Sequence, residues 1–88
     1  MEVLFAKQFL KDIHKLRDAK LASKVGDVIL KVKSSHNLSE IENVKKLAGF
    51  KTAYRIRIGD FRIGFLYEHN VVTFSVFGNR KEIYRKFP

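Results

Sequence analysis

The apolar positions of the chain change period about halfway along. Glu2 to Phe5 reads as a short first strand. Phe9, Leu10, Ile13 and Leu16 are then apolar, with Lys7, Lys11, Asp12 and Lys15 between them, which is the spacing of one helical face over residues 7 to 17. Asp18 stands where it can cap a second helix. The stripe of that helix, Leu21, Val25, Val28, Ile29 and Val32, follows the i, i+4, i+7, i+8, i+11 series of a buried face. The pair predicts an N-terminal helical hairpin. Ser34 to Asn37 breaks the pattern, and Ser39 with Glu42 fits a capping box opening a short helical segment through Ile41, Val44 and Leu47, ended by Gly49.

Beyond Gly49 the period becomes two. Tyr54 to Ile58, Phe61 to Tyr67 and Val71 to Phe77 have strand character, and the connections Gly59-Asp60 and His69-Asn70 are two-residue turns. A turn of that length fixes register. It pairs Ile58 with Phe61, Arg57 with Arg62, Ile56 with Ile63 and Arg55 with Gly64. The same count through the second turn pairs Tyr67 with Val72, Phe65 with Phe74, Gly64 with Ser75, Ile63 with Val76 and Arg62 with Phe77. One face is then an apolar layer from Tyr54 to Val76 that the helices can cover. The other holds Arg55, Arg57, Arg62, Gly64, Thr73, Ser75 and Phe77, with Gly64 leaving a gap. The fold expected is α+β: a helical hairpin on one face of a mainly antiparallel, four-stranded twisted sheet with a short C-terminal segment, one domain over residues 1–88.

Composition narrows what such a domain meets. Eighty-eight residues hold one modest core. There is no cysteine, so neither disulfides nor thiolate metal sites are available, which is compatible with a reducing cytosol. The absence of a long apolar run or a basic leader leads us to expect a soluble, unprocessed, cytoplasmic protein with no membrane association. The net charge is +9, and its distribution is uneven: residues 1–44 carry +2 and residues 45–88 carry +7. Such an excess favours a polyanionic partner.

The arginines give that partner a location. In the predicted register Arg57 and Arg62 face each other with Cβ atoms about 4.5 to 5.5 Å apart, an arrangement that is destabilising for like charges. No acidic residue lies on the strands of that face, so a bound phosphate is the expected counter-charge. The closing stretch G-N-R-K-E-I-Y-R-K-F-P adds Arg80, Tyr84 and Arg85, with Tyr84 able to stack on a base. The histidines do not converge: His14 falls on the first helix, His36 in a loop and His69 in a turn, and they form no metal-ligand spacing.

Together, the helical hairpin, K-K-L-A-G at 45 to 49, Y-R-I-R-I-G-D-F-R-I-G-F at 54 to 65 and G-N-R-K-E-I-Y at 78 to 84 resemble the RelE/ParE superfamily of toxins from type II toxin-antitoxin systems. The basic-plus-tyrosine set is similar to the RelE-like branch, whose members cleave messenger RNA in the ribosomal A site. The resemblance implies a metal-independent endoribonuclease without cofactor, in which the RNA 2′-hydroxyl attacks and a 2′,3′-cyclic phosphate forms. It carries catalytic roles to Arg55, Arg57, Arg62, Arg80 and Tyr84, and RNA or ribosome contacts to Lys45, Lys46, Lys51, Phe77, Lys81 and Arg85. Where the best-known relatives have lysines this chain has Arg55 and Arg57. A guanidinium stays protonated to pH ~12, which leaves open the identity of the general base that the resemblance implies. The implied partners are a cognate antitoxin and mRNA on the 30S A site with its rRNA, DNA being reached only through the antitoxin complex. The alternatives are a ParE-like inhibitor of DNA gyrase and a plain nucleic-acid-binding module.

Overall fold

The two apolar helical stripes need a sheet to cover, and in the computed structural model, which describes all 88 residues, they find one. Strand β1 (Glu2–Phe5) leads into helices α1 (Lys7–His14) and α2 (Ala19–Ser34) and a single 3-10 turn at Leu38–Glu40. Strands β2 (Val44–Lys46), β3 (Ala53–Ile58), β4 (Phe61–Glu68) and β5 (Val71–Asn79) follow, and α3 (Arg80–Lys86) closes the chain. The sheet order is β1-β5-β4-β3-β2, with β1 parallel to β5 and every other pair antiparallel. Asp18 caps α2 as its position predicts, accepting the Leu21 N–H at 3.0 Å. No helix is long and apolar enough to cross a membrane.

The sheet has five strands rather than the expected four, because residues 44 to 46 pair with β3 instead of continuing a helix. Asn37 rather than Ser39 opens the preceding turn, its side chain accepting the Ser39 N–H at 3.0 Å. Asn43, at φ 63°, then takes a left-handed conformation that a helix cannot contain. Pairing Val44, Lys45 and Lys46 with Ile56, Arg55 and Tyr54 supplies hydrogen bonds that the edge of β3 would otherwise lack.

The first hairpin has the predicted register, and the second keeps it only as far as Phe65 opposite Phe74. There a β-bulge leaves Ser75 without a partner. Gly64 then pairs with Val76, Ile63 with Phe77 and Arg62 with Gly78, in place of Ser75, Val76 and Phe77. A one-residue shift exchanges faces. Phe77 therefore turns to the helix side, 3% exposed, and stacks on Phe61 with centroids 5.4 Å apart and planes 7° from parallel.

Val76 takes the opposite face and joins Ala53, Ile83 and Phe87 in a second small core. This second core seats α3 on the open face of the sheet. The main core lies on the other side, where Phe9, Leu21, Val25 and Val32 from the helices meet Ile56, Ile63, Phe65, Val72, Phe74 and Phe77.

Candidate functional site

Alternation along β3 sends Arg55 and Arg57 to the open face, and the Gly59 turn, at φ 59°, brings Arg62 directly across from Arg57. Arg55 lies across from Gly64, which contributes no side chain of its own to this face. A methyl group at Gly64 would lie 2.6 Å from the ring of Phe87 and 2.8 Å from a methyl of Val76. The gap expected from the sequence thus exists on the strand. The chain's own C-terminal aromatic ring fills it.

Helix α3 delivers the remaining groups. Its start is fixed by a capping box: the Asn79 side chain accepts the N–H groups of Lys81 and Glu82 at 3.0 and 2.9 Å, and Glu82 accepts the Asn79 N–H at 3.4 Å. The Arg80 N–H donates to the Asp60 carbonyl at 3.0 Å, tying this helix to the β3–β4 turn. Arg80 and Tyr84, four residues apart, share one side of the helix. Tyr84 is 57% exposed, so its ring is open to a ligand.

Arg62 is the centre of the arrangement. It is 9% exposed, and one terminal guanidinium nitrogen donates to the carbonyls of Gly59 and Phe61 at 2.8 and 3.0 Å. Burial holds its pKa below that of an ordinary guanidinium. The positive charges of Arg55, Arg57 and Arg80 lower it further, while Tyr84 works in the opposite sense.

No carboxylate answers these charges, since the molecule's two ion pairs are His36 with Glu40 and Lys86 with Asp12. Arg55 donates from a terminal nitrogen to the Asn43 carbonyl at 3.2 Å. The Nε–H groups of both Arg55 and Arg62 are buried without an acceptor. Buried donors of this kind are rare in native structures.

Around this centre, Lys45 on β2 pairs with Arg55 and extends the basic row, whereas Lys46 alternates to the other face. Lys46, Lys51, Lys81 and Arg85 are exposed. Phe77 is withdrawn into the main core by the bulge and offers nothing to a ligand on the open face, a correction to the expected register. His14, His36 and His69 lie outside the cluster.

Asp12 is the supporting residue that sequence reasoning passed over. Its carboxylate accepts the Phe77 N–H at 2.9 Å and the Gln8 side-chain amide at 2.8 Å, and it meets the Lys86 ammonium at 3.1 Å. Lys86 also donates to the Phe77 carbonyl at 3.2 Å. One carboxylate thereby joins α1, β5 and α3 and holds down the helix that carries Arg80 and Tyr84. Burial raises its pKa, but these three donors outweigh burial and leave it lowered. A signal existed, because Asp12 is three residues after Phe9 and beside Ile13 on the apolar stripe.

No protein-family model matches the chain. It is 34% identical to Toxin RelE3 of Methanocaldococcus jannaschii over 89 residues, covering 100% of both chains. A chain of the RelB-RelE antitoxin-toxin complex from Methanococcus jannaschii superposes with a TM-score of 0.81 at 31% identity, over 97% of this chain and 99% of that one. The E. coli RelBE toxin-antitoxin complex contributes a match with a TM-score of 0.70 at 21% identity, over 89% and 94% of the two chains. The archaeal RelE-RelB complex of Pyrococcus horikoshii OT3 gives 0.70 at 22%, over 90% and 93%. These last two share the fold.

Proposed function

Because the chain belongs to the RelE family of toxins from toxin-antitoxin systems, we propose that it is an endoribonuclease that cuts messenger RNA in the ribosomal A site. The observation that carries this reading is the group of arginines, Arg55, Arg57 and Arg80, whose charges act on Arg62, with no ion pair to any carboxylate.

RNA brings its own nucleophile. The 2′-oxygen attacks the adjacent phosphorus, the bond to the 5′-oxygen breaks, and a 2′,3′-cyclic phosphate and a 5′-hydroxyl result. The 2′ proton leaves to a base and the departing 5′-oxygen takes up a proton, so the reaction needs in-line geometry and charge neutralisation more than new covalent chemistry. Arg62 and Arg80 clamp the scissile phosphate and meet the charge that grows on its equatorial oxygens. Donors aimed in advance at such charge are worth roughly 10²–10³-fold each. Arg55 and Arg57 orient a neighbouring phosphate or the 2′-oxygen, and Tyr84 stacks on or hydrogen-bonds the substrate nucleotide. Lys45, Lys46, Lys51, Lys81 and Arg85 add contacts to ribosomal RNA through counterion release.

This is a weak acid-base set. Arginines do not exchange protons near neutrality, and no histidine is close to the cluster. An enzyme so equipped depends on the ribosome to order its substrate, so little cleavage of free RNA accompanies efficient cleavage on translating ribosomes. Three of the solved relatives are complexes of RelE with RelB. A cognate antitoxin covering the basic face is the corresponding partner here, and DNA is met only through that complex. Neither the fold nor the relatives favour the gyrase-inhibitor alternative.

The test is cleavage of a defined message on purified, programmed ribosomes, read by mapping 5′ ends. Arg80→Ala or Tyr84→Ala should remove cutting while circular dichroism stays native. Equal cleavage of naked RNA, or toxicity that survives both substitutions and comes with DNA breaks, would overturn the reading.

A further inference from the structure

Next to the arginine cluster, the loop between β2 and β3 and the end of α3 border an open cleft of about 370 Å³ lined by Leu47, Ala48, Phe50, Tyr84, Phe87 and Pro88. Roughly 300–1,000 Å³ is the usual range for small-molecule pockets. The loop forming one wall is built rather than loose. The Leu47 N–H donates to the Ala53 carbonyl at 2.9 Å, the Phe50 N–H donates to the Leu47 carbonyl at 3.3 Å, and Gly49, at φ 84°, makes the reversal between them.

That loop leaves Phe50 49% exposed at its tip, and Tyr84 opposite is more exposed still, while Phe87 forms a buried floor. Two open aromatic rings over an apolar floor suit a flat heterocycle. The flanking chain specifies what the heterocycle is attached to: residues 45–57 contain Lys45, Lys46, Lys51, Arg55 and Arg57 and no acidic side chain. An apolar slot on a purely cationic segment fits a planar base linked to phosphates, and it suits the apolar side chain of an acidic polypeptide less well. Tyr84 is shared between the slot and the arginine cluster, so the two are one continuous surface.

We propose that this cleft is a nucleobase subsite, with Phe50 as its outer wall, taking the base of a nucleotide beside the scissile linkage. The proposal rests on the nuclease reading and deepens it. Phe50 acts on the choice of cut site and on kcat/KM, and the arginines act on the bond broken. Sequence preference at that nucleotide then follows from how well each base fills the slot.

The test uses the intact protein on programmed ribosomes, with wild type, Phe50→Ala and Phe50→Tyr compared. Messages carry either a normal nucleotide or an abasic one on each side of the cut in turn. Phe50 is a half-exposed tip whose backbone hydrogen bond survives substitution, so alanine leaves the fold intact. The expected result is a roughly tenfold fall in kcat/KM for Phe50→Ala, at the lower end of base-aromatic stacking, with Phe50→Tyr near wild type. At one position the abasic message costs wild type a similar factor and costs Phe50→Ala nothing further. Penalties that multiply, or a Phe50→Ala protein that cuts with unchanged rate and preference, would overturn the subsite while leaving the nuclease standing. Weakened antitoxin binding with unaltered cutting would assign the cleft to the antitoxin and also overturn it. A wild type that cuts no message would sink the nuclease reading, and the subsite with it.

Discussion

Replacing Gly64 by alanine is the sharpest probe of how α3 is held. The added methyl would sit 2.6 and 2.8 Å from two ring carbons of Phe87 and 2.8 Å from a methyl of Val76. All three separations are inside contact distance, so something must move. Val76 lies in mid-strand on β5, whereas Phe87 follows the last turn of α3, so the ring is the easier group to displace. If it leaves, the side chain gives up roughly 1.5–3 kcal/mol of burial. If it stays, overpacking costs about 1–3 kcal/mol. Either route removes stability from the second core of Ala53, Val76, Ile83 and Phe87, while most of the main core lies across the sheet. Urea unfolding of Gly64→Ala should show a loss in that range. Cleavage on ribosomes should fall further than stability alone explains, because Arg80 and Tyr84 ride on α3. Phe87→Ala removes the obstructing ring, so in that background Gly64→Ala should cost only what Val76 imposes. Two penalties that add within about 0.5 kcal/mol would show the sites to be uncoupled and refute the reasoning.

Arg62→Met keeps an apolar stem and removes a charge that burial and three other arginines disfavour. Its Tm should equal or exceed that of wild type, while single-turnover cleavage drops by roughly 10²–10³-fold. Asp12 has a lowered pKa in the folded protein, so the stability it contributes is present above its unfolded value near 4 and is lost as pH falls through the folded one. Stability measured against pH should therefore decline in acid for wild type. Asp12→Asn should be less stable at neutrality, with a flatter acid limb, so that the two curves approach each other below pH ~4.

The limits of sequence reading can be traced to particular residues. The β3–β4 register was legible because a two-residue turn at Gly59-Asp60 leaves one way to count, and with it came the Arg57–Arg62 juxtaposition. The bulge at Ser75 was not. Val72, Phe74 and Val76 alternate without interruption, and nothing local favours Phe77 over Val76 for the core. That choice is made by tertiary partners, Phe61 stacking on Phe77 from one side and Ile83 and Phe87 packing around Val76 from the other. Ser39 with Glu42 imitated a capping box, while the decisive residue was Asn43, whose positive φ starts a strand that pairing with β3 rewards. The basic cluster could be read because alternation is local. Its support from α3 could not, because Asp12 acts on a backbone group 65 residues along the chain and Gly64 on the ring of Phe87, far beyond any local pattern.

The two faces of the sheet therefore answer to different demands. On the helix side, Ile63, Phe65, Val72 and Phe74 are wholly buried and make the chain fold. On the open side, like charges are crowded and two buried N–H groups go without acceptors, arrangements that lower stability and persist only if the rest of the molecule over-determines them. The over-determination is visible in the devices that fix the geometry: a tight turn at Gly59, the Asn79–Glu82 capping box, the Asp12–Lys86 tie and the Phe87 ring against Gly64. None of these neutralises the arginines. They prevent the arginines from moving apart, so the repulsion among them is not relieved within the molecule. Binding of a polyanion should then stabilise the fold beyond the contacts it makes, and by more in wild type than in Arg62→Met.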